Sequence, residues 1–165
     1  MLNVGKYQQL TFVSIVPLRH HFKIKIKNNM TKKKMVYLTS QGFVVMSVLC
    51  LLSVSIMAFY SPQSVMDLVQ VTLPNNDAVS SIRGIYGGAG LALCIGLLYL
   101  LKTDITKALA FLDMLWGFYA LSRIITVLVE GALGNFGTQW LFIESSFCAL
   151  SLLLLMLNRR FNFQN

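Results

Sequence analysis

The stretch Gly42–Phe59, GFVVMSVLCLLSVSIMAF, runs for 18 residues without a charge. A helix needs about 20 apolar residues to cross the hydrocarbon of a bilayer. Inside lipid every backbone polar group must be satisfied within the chain, so such a run folds as a helix. Three further runs of the same kind follow, and together they fix the architecture. The spans are expected at 36–60, 81–101, 105–130 and 138–158: an all-α, polytopic membrane protein with a four-helix transmembrane bundle. A cleaved leader would also start from basic residues such as Lys32-Lys33-Lys34, but its apolar region is only 7–15 residues long. The first run is therefore read as a retained helix.

Charge supports this reading. Charged residues make up 12% of the chain, against about 25% in soluble domains. The net charge of +8 belongs to one end. Lys6, Arg19, Lys23, Lys25, Lys27, Lys32, Lys33 and Lys34 crowd residues 1–35, where there is no acid. The other residues carry six basic and six acidic side chains. Such a tail beside a membrane helix sets orientation or touches anionic lipid, so nucleic acid is not an expected partner. The segment Phe22–Lys27, FKIKIK, alternates like a strand but has no partner strand. Residues 1–35 are expected to be a basic tail, with Met30 or Met35 as an alternative biological start, and 159–165 a short second tail.

The connections fix a topology. Lys102 and Lys107 flank the link between spans two and three, and Arg159-Arg160 closes span four. The 61–80 and 131–137 connections contain no Lys or Arg. The positive-inside rule then places both termini in the cytoplasm, in an inner (plasma) membrane. Ser61-Pro62 should open a short helix lying along the outer surface, ended near Leu73-Pro74. Asp77 is the expected N-cap of span two.

Ser80–Gly90, SSIRGIYGGAG, could be taken for a phosphate loop. It lacks a preceding strand and a GK[ST], and its glycines miss GxGxxG. Gly84, Gly88, Ala92 and Gly96 instead recur every fourth residue, as on one face of a helix. In lipid such a face permits close helix packing.

Ionisable groups within spans cost about 2.5–3.5 kcal/mol each on insertion scales and usually face partners or water. Arg83 opens span two, Asp113 and Arg123 lie in span three, Glu130 ends it, and Glu144 lies in span four. At 1.5 Å per residue, Arg123 and Glu144 both sit about 10 Å below the outer helix ends. Arg83, Arg123, Glu130 and Glu144 could share one layer. Trp116, Tyr119, Arg123, Thr126 and Glu130 follow helical spacing, and this polar, aromatic face is expected to point into the bundle. Three readings are open. An Arg–Glu pair could lock helices together, Arg83, Tyr86, Tyr119, Arg123 and Glu144 could line an outer cleft for a lipid or small anion, or Glu144 could serve catalysis or proton transfer. Asp113 has no evident cationic partner. It is either protonated or reaches Lys107 or solvent.

No GxSxG, HExxH or Walker motif is present. His20 and His21, the only histidines, lie in the tail, and Cys50, Cys94 and Cys148 have no ligand spacing. No cofactor or metal is expected, and a non-enzymatic protein is the leading expectation. Its partners would be membrane lipid, with a membrane-protein partner or a second copy as the alternative, docked on the Gly84/Gly88/Ala92/Gly96 face.

NNDAVSSIRGIYGGAGLALCIGLLYL resembles the R-x-x-Y-G-G signature of the domain-of-unknown-function family 4345, carried here by Arg83, Tyr86, Gly87 and Gly88. LWGFYALSRIITVLVEG and LFIESSFCALSLLLL are similar to its third and fourth helices. The resemblance covers about 36–158. It implies a small, mostly bacterial, four-helix integral membrane protein with no assigned activity. The size is also similar to the DoxX-like membrane bundles, in architecture alone.

Overall fold

The structure is a computed structural model that describes the backbone of residues 5–162 and the side chains of residues 30–161. The chain divides after Val36 into two compact units. The helices are α1 (Gly5–Tyr60), α2 (Pro62–Asp67), α3 (Asn76–Ile82), α4 (Gly90–Thr103), α5 (Ile105–Val129) and α6 (Asn135–Asn162), with a π-helical segment, Arg83–Ala89, joining α3 to α4. No strand occurs among the described residues. The FKIKIK alternation lies inside α1 and is helical, because a strand needs a partner and none is offered.

Among the described residues, four helical segments are long and apolar enough to cross a membrane: Met30–Tyr60, Asn76–Thr103, Ile105–Val129 and Asn135–Phe161. Within the unit that starts at Tyr37 they close around one core. Phe43, Val44 and Val48 of α1 meet Cys94 and Leu97 of α4, Leu109, Leu112 and Trp116 of α5, and Leu154 and Leu155 of α6. Each span buries only a narrow stripe and leaves large apolar residues outside, among them Ile95, Phe118, Leu128 and Phe142. So much exposed apolar surface is an aggregation liability in water but is the proper outer face of a bundle in lipid. The chain is a multi-pass membrane protein.

Polar contacts pin the bundle where apolar packing alone gives little selectivity in lipid. Asn158 Nδ2 donates to Ser40 Oγ at 2.7 Å, joining α6 to α1. Cys94 Sγ lies 3.7 Å from the Val48 carbonyl, joining α4 to α1.

The helix ends follow local chemistry. Ser61 precedes Pro62, which takes the first position of α2. Val65 and Met66 of that helix fold down on Ala58, with Leu73 and Ile82 beside them. Gln70 takes φ 60°. The Gln70 and Val71 N–H groups donate back to Asp67 O and Met66 O, which is the Schellman ending of a helix. Gln63 then ties the loop, with Nε2 on Asp67 Oδ1 and Val71 O and Oε1 accepting from the Leu73 N–H. The N-cap of span two is Asn75, whose Oδ1 accepts from the Ala78 N–H. Asp77 falls in the first turn instead, where a carboxylate still favours the helix dipole. The span therefore starts before Ser81, because its first turn is polar and escapes an apolar count. For the same reason α6 begins at Asn135 rather than Thr138.

Asp104 caps α5. Its Oδ1 accepts from the Thr106 and Lys107 N–H groups, and its Oδ2 pairs with Lys107 Nζ at 3.3 Å. The Lys107 backbone N–H, chiefly, holds this carboxyl below its ordinary range. A depressed carboxyl stabilises the fold above its unfolded value, about 3.9, and that stabilisation is lost as pH falls through the folded value. Asp104→Ala is expected to cost about 0.5–2 kcal/mol at neutral pH. The difference from wild type should shrink as the pH falls below about 4, as thermal unfolding in detergent would show.

Candidate functional site

Arg123 and Glu144 meet between α5 and α6. Arg123 Nε donates to Glu144 Oε2 at 2.6 Å, and Nη2 donates to Oε1 at 2.9 Å. This fork-on-carboxylate geometry is the strong form of the contact. Glu144 is 3% exposed, so almost all of its solvation comes from the arginine. The Arg123 side chain is 26% exposed. With Nε and Nη2 engaged, Nη1 has no partner among the described residues.

The surroundings are aromatic. Tyr119, one turn from Arg123, is 41% exposed. Tyr86 is exposed to the same extent. Trp116 lies deeper, its ring 6.1 Å from Tyr119 and edge-on to Phe147 at 5.0 Å. Phe147 in turn packs on Phe43 at 5.5 Å. An aromatic floor thus lies next to the ion pair. Trp116 Nε1 and Ser47 Oγ are buried with no hydrogen-bond partner among the described residues. Of the polar face drawn along α5, Trp116 is buried and Arg123 half-buried, while Tyr119, Thr126 and Glu130 are exposed. Beyond Ala120 no residue of α5 is buried.

Arg83 does something else. Its Nε donates to the Phe59 carbonyl at 3.1 Å. Phe59 lies in the last turn of α1, where carbonyls lack helical partners and a cation complements the dipole. Arg83 therefore caps a neighbouring helix. No ion pair links it to Glu130 or Glu144 among the described residues.

The glycines divide into two sets. A Cβ on Gly87 would meet the Phe59 ring at 2.8 Å, and one on Gly90 would press on the Ser55 side chain, 3.2 Å from its Cβ. Gly84, Gly88 and Gly96 would meet nothing within 4 Å, and Ala92 is exposed. The close approach of α1 is made on Gly87 and Gly90; the Gly84/Gly88/Ala92/Gly96 face is open within the chain. The π-helical segment, which carries the whole R-x-x-Y-G-G signature, was not foreseen. π-turns often mark functional positions, and the closely spaced glycines that weaken α-helical preference were the signal for it.

Asp113 is half-buried against α6, beside Ser151 and Cys148. It does not reach Lys107, which pairs with Asp104. Among the described residues, no group of three or more His, Cys, Asp or Glu side chains could hold a metal ion.

No curated protein matches the chain, and no solved structure does. The family described as Domain of unknown function (DUF4345) matches residues 39–155. That range takes in α1 from Thr39, the signature segment, the Arg123–Glu144 pair and most of α6, and the chain belongs to this family.

Proposed function

We propose that the protein is a small non-enzymatic membrane protein whose Arg123–Glu144 layer binds a lipid headgroup or small anion. The observation that carries this reading is the half-used guanidinium. One edge of Arg123 is held by buried Glu144, and the rest is partly exposed beside Tyr119. A guanidinium so held is preorganised, and ordering a donor in advance lowers the cost of binding. Glu144 takes one edge of the guanidinium, and the other edge would offer its N–H groups to the oxygens of an anionic headgroup, with Tyr119 and Tyr86 as further donors. In this reading the chain sits in a bacterial inner membrane with both termini cytoplasmic. The clustering of Lys102, Lys107, Arg159 and Arg160 at one end of the spans supports that orientation.

The test uses tryptophan fluorescence. Trp116 and Trp140 are the two tryptophans, and Trp140→Phe leaves Trp116 as the reporter next to the layer. In vesicles, brominated phosphatidylglycerol should quench Trp116 more than brominated phosphatidylcholine does. Arg123→Lys, which keeps a cation for Glu144 but loses the fork, should abolish that preference. Equal quenching by the two lipids in the unaltered layer would count against the reading.

A second reading is supported by the open Gly84/Gly88/Ala92/Gly96 face, which would accept a partner helix or a second copy. In that case Gly88→Leu would leave the chain folded and abolish its association in native membranes.

A further inference from the structure

The link between the first two spans folds back along the bundle. Val65 and Met66 of α2 pack on Ala58, with Met57, Leu73 and Ile82 around them. Met57 and Ala58 belong to the span Met30–Tyr60, and Ile82 to the span Asn76–Thr103. At 1.5 Å per residue, Ala58 lies about 3 Å and Ile82 about 9 Å inside the ends of their spans. The link is therefore held beside the helices, at the level of the span ends.

Three of its apolar side chains take no part in this packing. Leu68, Val69 and Val71 are 44%, 48% and 49% exposed, and Phe59 and Tyr60 at the end of α1 are exposed too. Nothing from Leu68 to Asn76 is charged. Large apolar side chains on the outside at this level continue the lipid-facing surface of the spans. A tyrosine at a span end belongs to the boundary between lipid and water.

The backbone suits such a place. Irregular backbone at membrane depth must find its hydrogen bonds within the protein or in a water-filled cavity. Of the five N–H groups from Val69 to Leu73, four are donated within the chain: Val69 and Val71 to Met66 O, Gln70 to Asp67 O, and Leu73 to Gln63 Oε1. Gln63 Nε2 donates to the Val71 carbonyl. Gln70 takes the left-handed φ of 60° that completes the turn, a position usual for glycine. A link standing in water could leave these groups to solvent.

We propose that Leu68–Val71 is a lipid-inserted anchor. Leu68, Val69 and Val71 enter the boundary between headgroups and acyl chains in the leaflet at the Tyr60 end, so the occupant of this face is the bilayer itself. The link contains no Lys or Arg, so insertion is apolar and needs no anionic lipid. The anchor fixes the depth of the corner where α1 meets the signature segment, and it is independent of the Arg123–Glu144 site.

Spin labels on Val69→Cys, Val71→Cys and Asp77→Cys, one in each full-length chain in phosphatidylcholine vesicles, test this. The unsubstituted chain, treated alike, supplies the background from Cys50, Cys94 and Cys148. All three labelled positions are exposed, so the substitutions leave the core intact. Dissolved oxygen concentrates in lipid, whereas a nickel chelate stays in water. The first two labels are expected to collide with oxygen in preference to the chelate. The third, at a charged position in the same corner, should show the reverse preference. If the first two are as open to the chelate as the third, the patch lies in water as a face for a soluble partner, and the proposal is overturned. Labels at Val69→Cys and Val71→Cys that meet neither reagent overturn it as well, because a second copy or another protein then covers the face.

Discussion

Glu144→Ala is expected to destabilise the protein by about 3–5 kcal/mol, the range for breaking a buried ion pair by removing one partner. The cost arises from the group left behind. Arg123 donates two hydrogen bonds to Glu144, and without them its charge faces lipid and aromatic rings. Arg123→Met should cost a similar amount, because it strands the buried carboxylate. The double replacement, Arg123→Met with Glu144→Leu, removes both charges and is expected to lie close to wild type. Thermal unfolding of wild type, Arg123→Met, Glu144→Leu and the double variant in one detergent forms a double-mutant cycle. Single losses of that size beside a near-neutral double variant make the coupling larger than the about 0.5–3 kcal/mol usual for contacting residues. Additive single changes would contradict the pairing.

The second large effect is expected at Gly90. Gly90→Leu puts a branched side chain where even a Cβ presses on Ser55. Ser55 cannot readily move: it is buried, and its hydroxyl donates to the Leu51 carbonyl at 2.8 Å. Overpacking of this kind costs typically about 1–3 kcal/mol and sometimes more. Here it would pry α1 from the second span along the whole signature segment. A Cβ on Gly88, two residues away, would meet no atom within 4 Å, and Gly88→Leu should leave unfolding unchanged within about 0.5 kcal/mol. The contrast between two glycines in one short motif is the useful measurement. Equal sensitivity would mean that α1 does not dock on Gly87 and Gly90.

Why some of this is legible in the sequence, and some not, follows from what each signal measures. An uncharged run reports lipid exposure, so the four spans stand out. It says nothing of a polar first turn, so Asn75–Ser80 and Asn135–Gly137 were missed at the helix starts. Counting residues from a helix end gives depth. Arg123 and Glu144 come out at one height, and the structure pairs them. Depth does not give rotation about the helix axis. Arg83 therefore turns to the Phe59 carbonyl, and Glu130 stays exposed at the C-cap of α5. The glycine stripe was drawn on an ideal helix. Arg83, Gly87, Gly90 and Cys94, the neighbouring stripe at helical spacing, are the residues that reach α1; spacing groups residues on one face but does not say which face meets which helix. Ser40–Asn158 and Asp113–Ser151 carry no paired charge, so nothing in the sequence announced them as contacts.

The family assigns no activity, so the central claim is that the Arg123–Glu144 layer holds a ligand and does more than lock two helices. Native mass spectrometry tests it most directly, on gently purified wild type and on the Arg123→Met, Glu144→Leu double variant, with lipid identification on both. The account predicts that the wild type carries a bound lipid or anion that survives mild activation. The double variant, still folded, should lose it. The same bound molecules on both proteins, or none on the wild type, would contradict the claim and leave the pair as a lock between α5 and α6.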